Sequence, residues 1–167
     1  MQADTYLAWA CLQLWTIDEG VDTPRLLWEN ILGSLIVNQN YGGGSGDPND
    51  PYLIYTADQF NRIGLYFCDW DKHFKLMANI DLSPFDGQDG RPEYNIIGSF
   101  QINGDFAGVF DGNGYSISNL RISGGELHVG LFGLISGEDA LVENLVILDA
   151  IVNVLDADQP LVFWLEL

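Results

Sequence analysis

The sequence predicts an all-β solenoid, a coil of short parallel strands stacked turn on turn. Three observations predict it. Apolar residues alternate in short runs closed by glycine turns, as in "FAGVFDGNGYSISNLRI" at residues 106–122. Only one stretch carries a convincing helical pattern. The strand-and-turn rhythm also restarts: "VGLFG" at 129–133 echoes "AGVFDG" at 107–112, with Gly108 to Gly130 and Phe110 to Phe132 both 22 positions apart. Self-similarity at such a spacing marks a solenoid or a propeller, and the absence of alternating helices favours a coil of strands.

Each element follows in order. In residues 1–40, "LQLWTI" alternates like a half-buried strand, "DEGVDTP" is a turn cluster, and "RLLWENILGSLIV" is a strand pair or a short helix. Residues 41–51, "YGGGSGDPNDP", crowd together glycine, proline, aspartate and asparagine, and predict a linker built of turns. Asp47, Asn49 and Asp50 suggest calcium, but Pro48 and Pro51 break the alternate-ligand spacing of an EF-hand loop. "PYLIYT" at 51–56 is a strand.

The helix comes next, at about 57–63. Thr56 caps it, Gln59 completes a capping box, Phe60 and Ile63 share a face, and Gly64 stops it. Two turns of helix are marginal alone, so that face must dock. "FKLMANIDLS" and "YNIIGSF" supply further strands around the variable loop "PFDGQDGRP". Then come the echoing segments. "ISNLRI" at 117–122 matches "VENLVI" at 142–147, with Asn119 to Asn144 and Leu120 to Leu145 both 25 apart. Equivalent asparagines in successive turns predict a ladder of amides, and stacking predicts Phe110 near Phe132 and Leu120 near Leu145. The tail, 156–167, departs from the rhythm.

Composition bounds the function. Hydrophobic residues make up 47% of 167, enough for a core. Acidic residues number 24 against 6 basic ones, a net charge of -18. Scattered Lys and Arg exclude a nucleic-acid interface and disfavour anionic membranes. No apolar run is long enough to span a bilayer. The N-terminus lacks the basic region of a signal peptide. Cys11 and Cys68 lie in separate segments and read as two buried free thiols, with a single bridge as the other possibility.

The repeat segments, with "GGGSGDPNDPYLIYTADQFNRIG" and "HFKLMANIDLS" before them, resemble the GLUG-motif repeats of bacterial surface proteins. The resemblance covers most of residues 9–154. It implies a right-handed parallel β-helix of the filamentous-haemagglutinin type. The short N-terminal helix would then cap it, with Phe60 and Ile63 facing the first coil. It also implies a fragment of a larger secreted or surface-displayed protein. Residues 1–40 would close a preceding module, 41–51 link, 52–155 form the β-helix module, and 156–167 be an irregular tail or truncated coil. Partners would be adjacent modules and a glycan or protein ligand.

Chemistry was sought against that scaffold. His73 and His128 stand alone, no H-E-x-x-H run occurs, and no G-x-S-x-G elbow exists. The rival reading is a polysaccharide lyase or hydrolase, because β-helices host such enzymes. Its site would use Asp81, Asp86, Asp89 and Arg91 in the acidic loop 81–91, with Asp111 nearby. Each of those carboxylates sits beside glycine or proline, where turn formation accounts for it. Tyr66, Trp70 and Tyr94 are the candidate stacking platforms for a glycan, while Trp9, Trp15 and Trp28 are expected to pack. The expectation is a structural or adhesion-type module with no catalytic residue, cofactor or metal. Its structural positions are Asn119, Asn144, Gly108, Gly130, Phe110, Phe132, Phe60 and Ile63, and Asp111 is dispensable.

Overall fold

The computed structural model describes residues 41–99, 104–124 and 128–154, with the backbone of three short strands before them. Those three are β1 (Trp15–Ile17), β2 (Arg25–Leu26) and β3 (Ser34–Leu35), an antiparallel sheet in the order β2-β1-β3. Expectations for the rest of 1–40 and for the tail lie outside the described residues.

From residue 52 onward nearly all regular structure is strand, and every named pairing is parallel. The strands are β4 (Tyr52–Ile54), β5 (His73–Leu76), β6 (Ile80–Asp81), β7 (Val109–Asp111), β8 (Ser116–Ser118), β9 (Arg121–Gly124), β10 (Leu141–Glu143), β11 (Val146–Leu148) and β12 (Ile151–Val154). They form three parallel sheets, in the orders β10-β7-β5-β4, β11-β8-β6 and β12-β9. The class is therefore all-β, with little helix.

Alternation builds the core. In β5, Phe74 and Leu76 are buried while His73 and Lys75 face out. β7 and β8 each bury their central residue, Phe110 and Ile117. Register stacks these positions in columns. Tyr52, Phe74, Phe110 and Val142 stand level in the first sheet, and Ile80, Ile117 and Ile147 in the second. Phe106, Gly108 and Phe110 are all buried, as their alternation predicts. Phe110 and Phe132 meet with ring centroids 5.6 Å apart.

The spacing differs from the expected one. Val109 pairs with Leu141, 32 positions on; Ile117 pairs with Ile147, 30 on; His73 pairs with Val109, 36 on. Only β4 and β5 show a spacing of 22, from Tyr52 to Phe74. The 129–133 segment that echoes 107–112 bridges from Phe132 to Ile97 instead. The echo thus links different faces of the coil, because each face needs the same apolar strand and tight corner. It does not mark stacked turns.

Helix α1 (Ala57–Ile63) lies where the pattern placed it. The Thr56 side chain accepts from the Gln59 backbone N–H, and the Gln59 side chain accepts from Tyr55 N–H at 2.8 Å. Phe60 and Ile63 are fully buried. Phe60 stacks on Tyr94 at 5.9 Å and meets Phe110 edge-on at 5.7 Å. Gly64 has φ −66°, so it does not stop the helix in the left-handed region. A Cβ there would instead come within 2.1 Å of the Asn95 carbonyl oxygen.

Two further expectations change. Residues 41–51 are an ordered cap on the sheet edge rather than an open linker. Gly42 N–H donates to Leu53 O, Leu53 N–H to Gly43 O, and His73 N–H to Gly46 O. Tyr41 packs 4.6 Å from the Tyr52 ring and donates to Asp69. Glycine allows this because Gly44 and Gly46 adopt φ +83° and +82° against neighbouring chain. The second change is that Cys68 is disulfide-bonded, not a free thiol. Cys11 lies outside the described residues.

Candidate functional site

The β7–β8 corner concentrates the polar chemistry. Asp111 ends β7 facing out, level with Lys75 of β5 on one side and Glu143 of β10 on the other. Lys75 Nζ lies 2.7 Å from Asp111 Oδ2. Asp111 Oδ1 accepts the Asn113 backbone N–H at 2.8 Å, an Asx turn, and the Asn144 side-chain amide at 3.1 Å. Asn113 sits at φ 51° and donates its own amide to Leu76 O at 3.0 Å. The Asn144 carbonyl accepts from Gly114 N–H, and a Cβ on Gly112 would meet it at 2.5 Å. One corner thus joins three successive turns, through Lys75 and Leu76, Asp111 and Asn113, and Asn144.

Burial opposes ionisation of Asp111, but the bonds from Lys75, Asn144 and Asn113 outweigh it and hold the carboxyl below its ordinary range. A carboxylate engaged by three donors is a poor base. An open groove of about 710 Å³ lies beside it, lined by Lys75, Asp111, Asn113, Gly114, Asn144, Leu145 and Val146. Its size suits a small ligand, but its polar side chains already bond within the chain.

The next corner repeats the device. Asp81 Oδ1 accepts the Ser83 backbone N–H and the Asn119 amide, both at 2.9 Å. Asn119 leads in holding that carboxyl below its ordinary range, with Ser83 second. Asn119 and Asn144, at φ 58° and 53°, are both left-handed corner residues, as asparagine tolerates. Their amides reach down to aspartates of the turn below, not to each other. The residue level with Ser118 is Leu148, 30 on, so Asn119 and Asn144 occupy different corners and form no amide ladder. Asp111 is correspondingly a hub rather than a dispensable turn residue. Gly108 is required more strictly than Gly130: a Cβ would approach Lys72 O at 2.0 Å in the first case and Phe132 O at 3.0 Å in the second.

In the acidic loop, Arg91 grips Asp86 through Nε and Nη2, both at 2.7 Å, and lies 3.7 Å from Asp89. Arg91, then the Gln88 backbone N–H, keeps the Asp86 carboxyl low. Each of Asp81, Asp86 and Asp111 is committed to holding its own corner or loop. Among the described residues no three His, Cys, Asp or Glu side chains are grouped to hold a metal. The expected stacking aromatics are buried instead. Tyr66, Trp70 and Tyr94 are at most 6% exposed, Trp70 Nε1 donates to Ile63 O, and the Tyr94 hydroxyl donates to Leu131 O. Short polar-looking loops hid the fact that these rings fill the core. Tyr55 and Phe67, 44% and 50% exposed, are the outward aromatics, and nothing in their local pattern marked them.

No described helix is long and apolar enough to cross a membrane. No family model matches the chain, and no solved structure matches it significantly. Over 106 residues, 63% of this chain, it is 37% identical to a protein of Evansella cellulosilytica named as a Gly-rich membrane protein, spanning 12% of that protein. Over 91 residues, 54% of this chain, it is 37% identical to Halomucin of Haloquadratum walsbyi, spanning 1% of it. The chain therefore corresponds to a small part of each of these relatives.

Proposed function

We propose that this chain is a structural or adhesion-type module of a secreted or cell-surface repeat protein, built as a right-handed parallel β-helix of the GLUG-motif kind and without catalysis. The observation that carries this reading is the set of three parallel sheets whose inward columns stay in register from β4 to β10 and from β6 to β11. Such a stack needs no site to justify its polar residues, because the corner network of Lys75, Asp111 and Asn144 is used in holding turns together. The disulfide at Cys68 supports an oxidising, extracytoplasmic setting. The printed names of the two relatives are compatible with a surface location. In this reading α1 caps the N-terminal end of the coil, and the partners are adjoining modules and a surface glycan or protein.

The test is a glycan array with and without calcium, paired with an assay for released reducing ends on the same glycans. Binding without release is the expected result. Release of reducing ends overturns the non-catalytic reading, and absence of any binding removes the adhesive half of it.

A further inference from the structure

The three parallel sheets all stop at the same turn. β10, β11 and β12 each pair on one side only. Ile147 stacks over fully buried Ile117, yet is itself 47% exposed; Val152 stacks over Ile122 and is 39% exposed. The outward positions change character at this turn as well. Ser116, Ser118 and Arg121 stand level with Val146, Leu148 and Ile151. Those three apolar side chains are 47%, 47% and 42% exposed, and Leu141 is 45% exposed. Strands that are apolar on both faces are normally covered on both. Six such side chains along one turn expose on the order of 450 Å², the size of a functional patch.

The opposite end is closed. Leu53 of β4 gives its N–H to Gly43 and its carbonyl to Gly42, so the outer edge of that strand is already paired. The open end of one molecule therefore has no matching seat at the closed end of another. Open ends can meet only open ends, which completes a pair and builds no filament.

We infer that the last-turn patch is a self-docking surface, through which two copies of this chain pair by β10, β11 and β12. The area fixes the strength. A pair would bury about 900 Å², just under the roughly 1,000 Å² of a stable specific interface, so the dimer is weak and concentration-dependent. Charge fixes the salt response. Residues 141–154 hold exposed Glu143 and Asp149 and no Lys or Arg, so pairing brings like charges together and salt strengthens it. This inference does not depend on the display function.

The test is sedimentation equilibrium of the intact chain from about 5 to about 200 µM, in about 50 and about 500 mM NaCl. A monomer–dimer equilibrium that tightens with salt is expected, with nothing larger. The double variant Val146→Ser, Leu148→Ser restores the serines of the preceding turn. It should fold with unchanged far-UV circular dichroism and weaken pairing at least about tenfold. Ile147→Lys should abolish pairing, and if it fails to fold the serine variant alone decides. Monomer under all conditions overturns the inference and assigns the patch to a further turn of a longer chain or to an unlike partner. Open-ended polymers, a dimer that loosens with salt, or a serine variant that still pairs fully also overturn it.

Discussion

Asp111 takes hydrogen bonds from Lys75, Asn113 and Asn144, which belong to three successive turns. Its folded-state pKa is depressed. The sign follows: the unfolded chain binds the proton more tightly, so this carboxylate stabilises above its unfolded pKa of about 3.9 and that stability is lost as pH falls through the lower folded value. Asp111→Asn should cost about 1–2 kcal/mol at pH 7, discounted because Lys75 is partly exposed. The deficit should shrink as pH is lowered below about 4, because the wild-type carboxyl then protonates too. Urea unfolding at several pH values checks both; a deficit that stays constant with pH would remove the charge from the explanation. At this scale the sequence was readable where one residue type has one main use. Left-handed asparagines at 113, 119 and 144 and the crowded Gly108 were of that kind. Partners were not readable, because the aspartate each amide chooses depends on register.

Among elements, α1 was the most legible. Its cap, its length and its buried pair follow from local rules that need no knowledge of the rest of the chain. Phe60→Ala should cost about 3–5 kcal/mol, since it empties a site between Tyr94 and Phe110. Leu65→Ala, at a 55% exposed position just past the helix, should change stability by less than about 0.5 kcal/mol. Chemical denaturation of the two variants separates docking from mere helix propensity: equal effects would show that the helix does not cap. The strands were legible as strands but not as ladders. The expected spacing of 22–25 came from comparing similar corners, whereas the true spacings of 30–37 include loops such as 86–93 that carry no periodic signal. The segment 41–51 was misjudged for a related reason. Glycine density predicts turns, and it is silent on whether those turns lie against a neighbour.

For the whole molecule, charge is the dominant long-range term. With 24 acidic and 6 basic residues, repulsion between carboxylates exceeds the attraction of a few pairs. The melting temperature should therefore rise between about 20 and about 500 mM NaCl, although the Lys75–Asp111 pair is itself weakened by screening. Differential scanning calorimetry checks the direction; a fall would mean that the ion pairs outweigh the net repulsion. The all-β class was legible from composition and alternation alone, because apolar-polar alternation and glycine corners are local. Which face meets which turn is a matter of long-range pairing and had to be seen.

Parallel neighbours in a sheet lie about 4.8 Å apart, whatever length of chain joins them. Between β8 and β11 that step takes 30 residues, a length that would extend about 45 Å as an α-helix. A protein of this build gains height slowly and wall quickly. Because the step is set by hydrogen-bond geometry, residues added at 86–93 widen the girth of one storey and leave the storeys above at the same altitude. Length along the axis and ornament on the flank can thus be altered independently.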